Sequence, residues 1–117
     1  MKEYLLLFRG GDAERKHLSP KEIEAHMKRW QEWIGSIAQS GHLTGAQPLT
    51  NEGRVIKGTS KKLTDGPFIE GKEILGGYVL IKASGFDEAV KISEGCPNLE
   101  AESGTVEIRE IGTMSAI

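Results

Sequence analysis

The sequence predicts an α+β sandwich, with two helices covering one face of an antiparallel sheet. Three observations carry that prediction. An unbroken apolar run opens the chain, a long segment of helical periodicity follows behind a strong helix-start signal, and a second strand–helix pair leads into a closing strand of clean alternation. The 117 residues suit one domain spanning 1–117, long enough to bury a core without disulfide or metal staples. Composition is that of a soluble globular chain: 38% hydrophobic, 27% charged, mean hydropathy −0.34. Fifteen basic against seventeen acidic side chains give a net charge of −2. Nucleic-acid binding draws most of its affinity from phosphate neutralisation, so this balance argues against DNA or RNA as the main partner.

The elements follow in order. Tyr4 to Phe8 is apolar at every position and ends at the turn cluster Arg9-Gly10-Gly11-Asp12, which reads as a strand covered on both faces. Ser19-Pro20-Lys21-Glu22 is a helix start: the Ser19 hydroxyl caps an orphan N–H, Pro20 suits the first helical position, and Glu22 completes a capping box. Apolar residues then recur at Ile23, Met27, Trp30, Ile34 and Ile37, predicting the buried stripe of one helix that stops at Gly41. His42 to Leu49 and Gly53 to Gly58 read as short edge or hairpin strands, and Asp65-Gly66-Pro67-Phe68 as a tight turn. Tyr78 to Ala83 is a central strand. Phe86 to Glu94 is a short helix with Phe86, Ala89, Val90 and Ser93 inward, closed by Gly95 and Pro97. Gly104 to Ile111 alternates, with Val106 and Ile108 on one face and Glu107 and Arg109 on the other. This is the βαββαβ order of a ferredoxin-like sandwich.

Two helices cover only one sheet face, yet Tyr4–Phe8 and Tyr78–Ile81 are apolar at both parities. A homodimer formed through the open faces would bury the surplus; the alternative is that residues 42–63 fold over it. The single cysteine, Cys96, excludes an intramolecular disulfide, and five apolar residues at the N-terminus are too few for a signal-peptide core or a membrane span. A cytoplasmic protein with no membrane partner is expected.

From Leu63 through Asp65-Gly66-Pro67-Phe68 to Gly76-Gly77-Tyr78, the sequence resembles the DGPF group of YCII-related proteins, in the dimeric α+β-barrel superfamily. The likeness extends upstream to Leu18–Glu22 and Ala25-His26-Met27. Downstream it takes in Phe86–Val90, Gly95-Cys96-Pro97 and Val106–Arg109, and only residues 42–62 match loosely. The resemblance implies a protomer that dimerises through its sheet and holds a pocket between sheet and helix. It implies a His–Asp pair of the kind some relatives are thought to use in lyase- or isomerase-type proton transfer or elimination on small organic molecules. It also implies a link, in some members, to sigma-factor-like regulators of transcription. A non-catalytic dimer that binds a metabolite or a regulatory protein is the alternative function.

His26 lies about 60° to one side of the predicted stripe, on the flank shared with Trp33. There an imidazole reaches a pocket rim and serves as a general base, or else simply bonds a neighbouring carbonyl. Asp65 is the carboxylate expected to orient it; alternatively its oxygens bond the backbone of their own turn. Arg9, Lys72 and Arg109 are candidate substrate-binding cations at the strand ends and after the turn, each with a surface ion pair as the competing role. Trp30 is expected in the core and Trp33 on the pocket wall or a subunit contact. Cys96, at a helix C-terminus, is a poor nucleophile. His17, His26 and His42 lack metal-ligand spacing, there is no CxxC, and neither Gly10-Gly11 nor Gly76-Gly77 has phosphate-loop spacing. No metal and no nucleotide cofactor are expected.

Overall fold

The computed structural model describes residues 1–66 and 75–114. Strand β1 (Lys2–Arg9) leads into a four-residue helix α1 (Asp12–Arg15) and the long helix α2 (Pro20–Gln39). Strands β2 (Leu43–Pro48), β3 (Arg54–Lys57), β4 (Lys62–Asp65) and β5 (Leu75–Ala83) follow. Helix α3 (Phe86–Ser93), a 3₁₀ turn (Pro97–Glu100) and β6 (Thr105–Glu110) complete the fold. Pro67, Phe68 and Lys72 lie outside the described residues, so the last two letters of the DGPF turn and the Lys72 candidate do too.

The main sheet has the order β2-β5-β1-β6, antiparallel throughout, which is the ferredoxin-like arrangement the element order predicts. The two apolar strands, β1 and β5, take the centre because only there is a strand flanked by hydrogen-bonded neighbours on both sides. Their side chains alternate. Tyr4, Leu6, Phe8, Val79, Ile81 and Ala83 are buried beneath the helices with Trp33, Ile37, Ala89 and Cys96. Leu5, Leu7, Tyr78 and Leu80 have the opposite parity and are half-buried on the far face. The smallest dimension, 20 Å, corresponds to one sheet and one layer of helices. Among the described residues, the far face of the sheet carries no helix and presents these apolar side chains.

The start of α2 follows the sequence: Ser19 Oγ accepts from the Glu22 N–H at 3.2 Å, and Glu22 Oε1 accepts from the Ser19 N–H at 3.1 Å. Its buried face does not. Ile23 and Met27 are exposed, whereas His26, Trp33 and Ile37 are buried. The helix is rolled toward its His26–Trp33 flank, which brings the large Trp33 indole into the core against Phe8. The polar atoms carried inward find partners: Trp33 Nε1 donates to the Ile92 carbonyl at 3.1 Å. Trp33 is thus a core residue, packed edge-on to Phe8 and Trp30, and not the pocket wall expected of it. On α3 only Ala89 and Ser93 of the expected inner residues are buried; Phe86 and Val90 are exposed.

The middle of the chain holds more structure than its composition suggests. Strands β3 and β4 pair with each other as a separate two-stranded sheet, with Ile56 and Leu63 exposed opposite one another. Asp65 closes β4, and Gly66 leaves it at φ 77°, the positive value expected of that turn glycine. Among the described residues, no helix is long and apolar enough to cross a membrane.

Candidate functional site

A cavity of about 560 Å³ lies between α2 and the β1–β5–β2 side of the sheet. This is within the ordinary range for small-molecule sites, and several times the ~150 Å³ that holds a benzene ring. Its walls are mainly apolar, from Phe8, Met27, Trp30, Ile34, Ala46 and Val79. Polar side chains also line it: His26 and Gln31 from α2, Asp12 and Arg15 from α1, Gln47 from β2, and Asn98 from the 3₁₀ turn.

His26 is buried and both its ring nitrogens are engaged. Nδ1 lies 3.2 Å from Glu100 Oε1, and Nε2 lies 2.9 Å from Trp30 Nε1. An indole nitrogen can only donate, so His26 Nε2 must be an acceptor and the proton sits on Nδ1, donated to Glu100. The assignment follows from donor chemistry, and it makes the ring a neutral imidazole with a defined tautomer. Glu100 is clamped in turn. Arg29 Nε donates to its Oε2 and Arg29 Nη2 to its Oε1, both at 2.8 Å, a two-pronged pair. Arg29 first, and His26 second, hold the Glu100 carboxyl below the usual carboxylate range. The resulting chain of contacts runs Trp30–His26–Glu100–Arg29.

The 3₁₀ turn that carries Glu100 is fixed by the buried Asn98. Its Nδ2 donates to the carbonyls of Arg9 at 3.0 Å and Thr105 at 2.8 Å, the ends of β1 and β6. Its Oδ1 accepts from Arg15 Nη1 at 3.1 Å. Arg15 Nη2 donates to the Gly10 carbonyl at 2.9 Å and to Asp12 Oδ1 at 3.0 Å, so the charges at this end of the cavity neutralise one another. A Cβ on Gly11, at φ 81°, would strike the Arg15 guanidinium; glycine makes the room that seats it.

Among the described residues, His26 is the one predicted site residue that reaches the cavity. Asp65 does not pair with it: its side chain is 92% exposed and lies 3.3 Å from Arg54 Nε. The physical reason is register, because Arg54 and Asp65 are cross-strand partners of the β3–β4 hairpin. The carboxylate at His26 is Glu100. Arg9 and Arg109 share Glu107 on the open sheet face, at 2.6 and 3.2 Å, and neither lines the cavity; the ion-pair role holds for both. Trp30, expected in the core alone, is the tryptophan of the pocket. Burial pushes the Cys96 thiol up to about 12, which keeps it protonated and unreactive.

Sequence reasoning missed Glu100, Arg29, Trp30, Arg15 and Asn98. Arg29 and Trp30 had a signal available, since helical spacing places both beside His26. Glu100 is 74 residues away and had none.

No curated protein matches the sequence. The family model of the YCII-related domain matches residues 16–115, a segment that begins just after α1, runs past the end of β6 and includes both His26 and Glu100. On that match over nearly its whole length, the chain belongs to the YCII-related domain family.

Proposed function

We propose that this protein binds a small, largely apolar organic molecule in the cavity beneath α2, as a homodimer joined through its open sheet faces. The observation that carries the reading is the cavity itself: aromatic and aliphatic walls with a few polar side chains among them, which is the make-up of small-molecule sites. The dimer is supported by the apolar far face of β1 and β5, where Leu5, Leu7, Tyr78 and Leu80 lie beside the Arg9–Glu107–Arg109 cluster.

A second reading, proton transfer or elimination on the bound molecule, is favoured by the His26–Glu100 pair. A carboxylate behind a neutral imidazole is the arrangement that orients a general base and stabilises its protonated form. In this role Glu100 replaces the Asp65 first assigned. Binding ranks above catalysis because Trp30 occupies the lone pair a base would need.

A thermal-shift screen against metabolite mixtures tests binding, comparing wild type with Ala46→Phe, which places a ring in the cavity wall. A ligand present at 100 times its Kd stabilises the native state by about 2.7 kcal/mol. Compounds should raise the Tm of wild type and not of the filled variant. If no mixture separates the two proteins, the reading falls.

A further inference from the structure

We infer that the cavity selects uncharged molecules bearing a hydroxyl group, which inserts between the Trp30 N–H and His26 Nε2, accepting from the indole and donating to the imidazole. This rests on the reading that the cavity holds a small molecule, and it names the group by which that molecule is recognised.

Both residues line the cavity, and among the described residues the Trp30 N–H and His26 Nε2 are each other's partners, at 2.9 Å. The indole can donate and not accept. His26 Nε2 accepts and does not donate, because the ring's proton sits on Nδ1, which donates its hydrogen bond to the Glu100 carboxylate held ionised by Arg29. A ligand that parts the pair must satisfy a donor and an acceptor at once, since a buried polar group left unpaired is costly. An ether oxygen satisfies the indole and strands Nε2. A carboxylate does the same and brings a charge to an end of the cavity where Arg15 is already paired with Asp12. A hydroxyl offers donor and acceptor on one atom, which is what a space between two single atoms requires. The apolar remainder of the cavity suits the hydrocarbon body of a phenol or cyclic alcohol.

The test uses matched pairs on the full chain: 4-ethylphenol against 4-ethylanisole, and cyclohexanol against methoxycyclohexane, titrated by calorimetry and by NMR of the His26 and Trp30 ring nitrogens. Each hydroxyl compound should bind about tenfold tighter than its ether, the worth of one net hydrogen bond. Only the hydroxyl compounds should move the His26 Nε2 and Trp30 N–H resonances together. In His26→Phe the freed indole N–H serves ether and hydroxyl alike, and the preference should fall to about one. Should that variant fail to fold, the paired wild-type resonance shifts decide alone. Equal binding of ether and alcohol, or binding that leaves those resonances still, overturns the hydroxyl inference while the small-molecule reading stands. Failure of all four compounds to bind at millimolar concentration also overturns it, and the mixture screen then judges the broader reading separately.

Discussion

The Trp30 indole donates a hydrogen bond at 2.9 Å to Nε2 of His26, one helical turn back along α2. Because the two lie four residues apart on one face, the helix itself sets the contact. The ring nitrogen a substrate would address is therefore already capped, and the opposite nitrogen is committed to Glu100.

The tautomer is directly measurable. Long-range ¹H–¹⁵N correlation should show His26 protonated at Nδ1 and bare at Nε2. Trp30→Phe and Glu100→Gln should each preserve that state, since either partner alone enforces it, and the double variant should lose it. Asp65→Asn should leave the His26 signals unmoved. A proton found on Nε2 of the wild type would refute the donor assignment.

Acid should weaken the clamp in a defined direction. Glu100 has its pKa lowered in the folded protein, chiefly by Arg29 and then by His26, so its contribution to stability is full above the ordinary carboxylate value of about 4.3. It is lost as the pH falls through the lowered folded value. Denaturant titrations should show wild type more stable than Glu100→Gln at pH 7, with the gap closing in the acid range. A gap that widened on acidification would contradict the assignment.

The roll of α2 predicts unequal costs for two isoleucines on one helix. Ile37 is 3% exposed, and Ile37→Ala should destabilise by roughly 2–5 kcal/mol. Ile23 is 43% exposed, and Ile23→Ala should cost less than about 0.5 kcal/mol. Chemical denaturation of both variants checks the order; similar losses would restore the stripe the periodicity suggests.

The proposed dimer depends on the far face of the sheet. Leu7 lies opposite Tyr78 on one side and Glu107 on the other. Leu7→Glu should leave the protomer folded, because among the described residues that face carries no helix, and should convert a dimer into a 12.8 kDa species in sedimentation at micromolar concentration. Wild type sedimenting as a monomer would remove the dimer altogether.

Glu102 and Glu100 are alike in sequence, two acidic residues near a chain reversal, yet only Glu100 meets His26. Nothing local separates them. The choice is made by Asn98, whose side chain ties the 3₁₀ turn to the ends of β1 and β6 and thereby aims position 100 at α2. Asp65 lies apart from His26 for the converse reason. Its motif is local and legible, but a hairpin register places it beside Arg54.

What the sequence alone determined is whatever short-range chemistry dictates. The apolar runs of β1 and β5 set the two central strands, Ser19 and Glu22 set the start of α2, the parity of Val106 and Ile108 set the buried face of β6, and Gly66 set a positive-φ turn. The tertiary structure decided which face of α2 turns inward and which carboxylate reaches His26. Both depend on groups distant in the chain: the Ile92 carbonyl that receives the Trp33 N–H, and the Glu100 carboxylate held by Arg29. Periodicity ranks positions by hydrophobicity and cannot count hydrogen-bond partners that packing has yet to bring near. A helix carrying both an Ile23–Met27 edge and a His26–Trp33 edge is therefore oriented only when the rest of the fold supplies those partners.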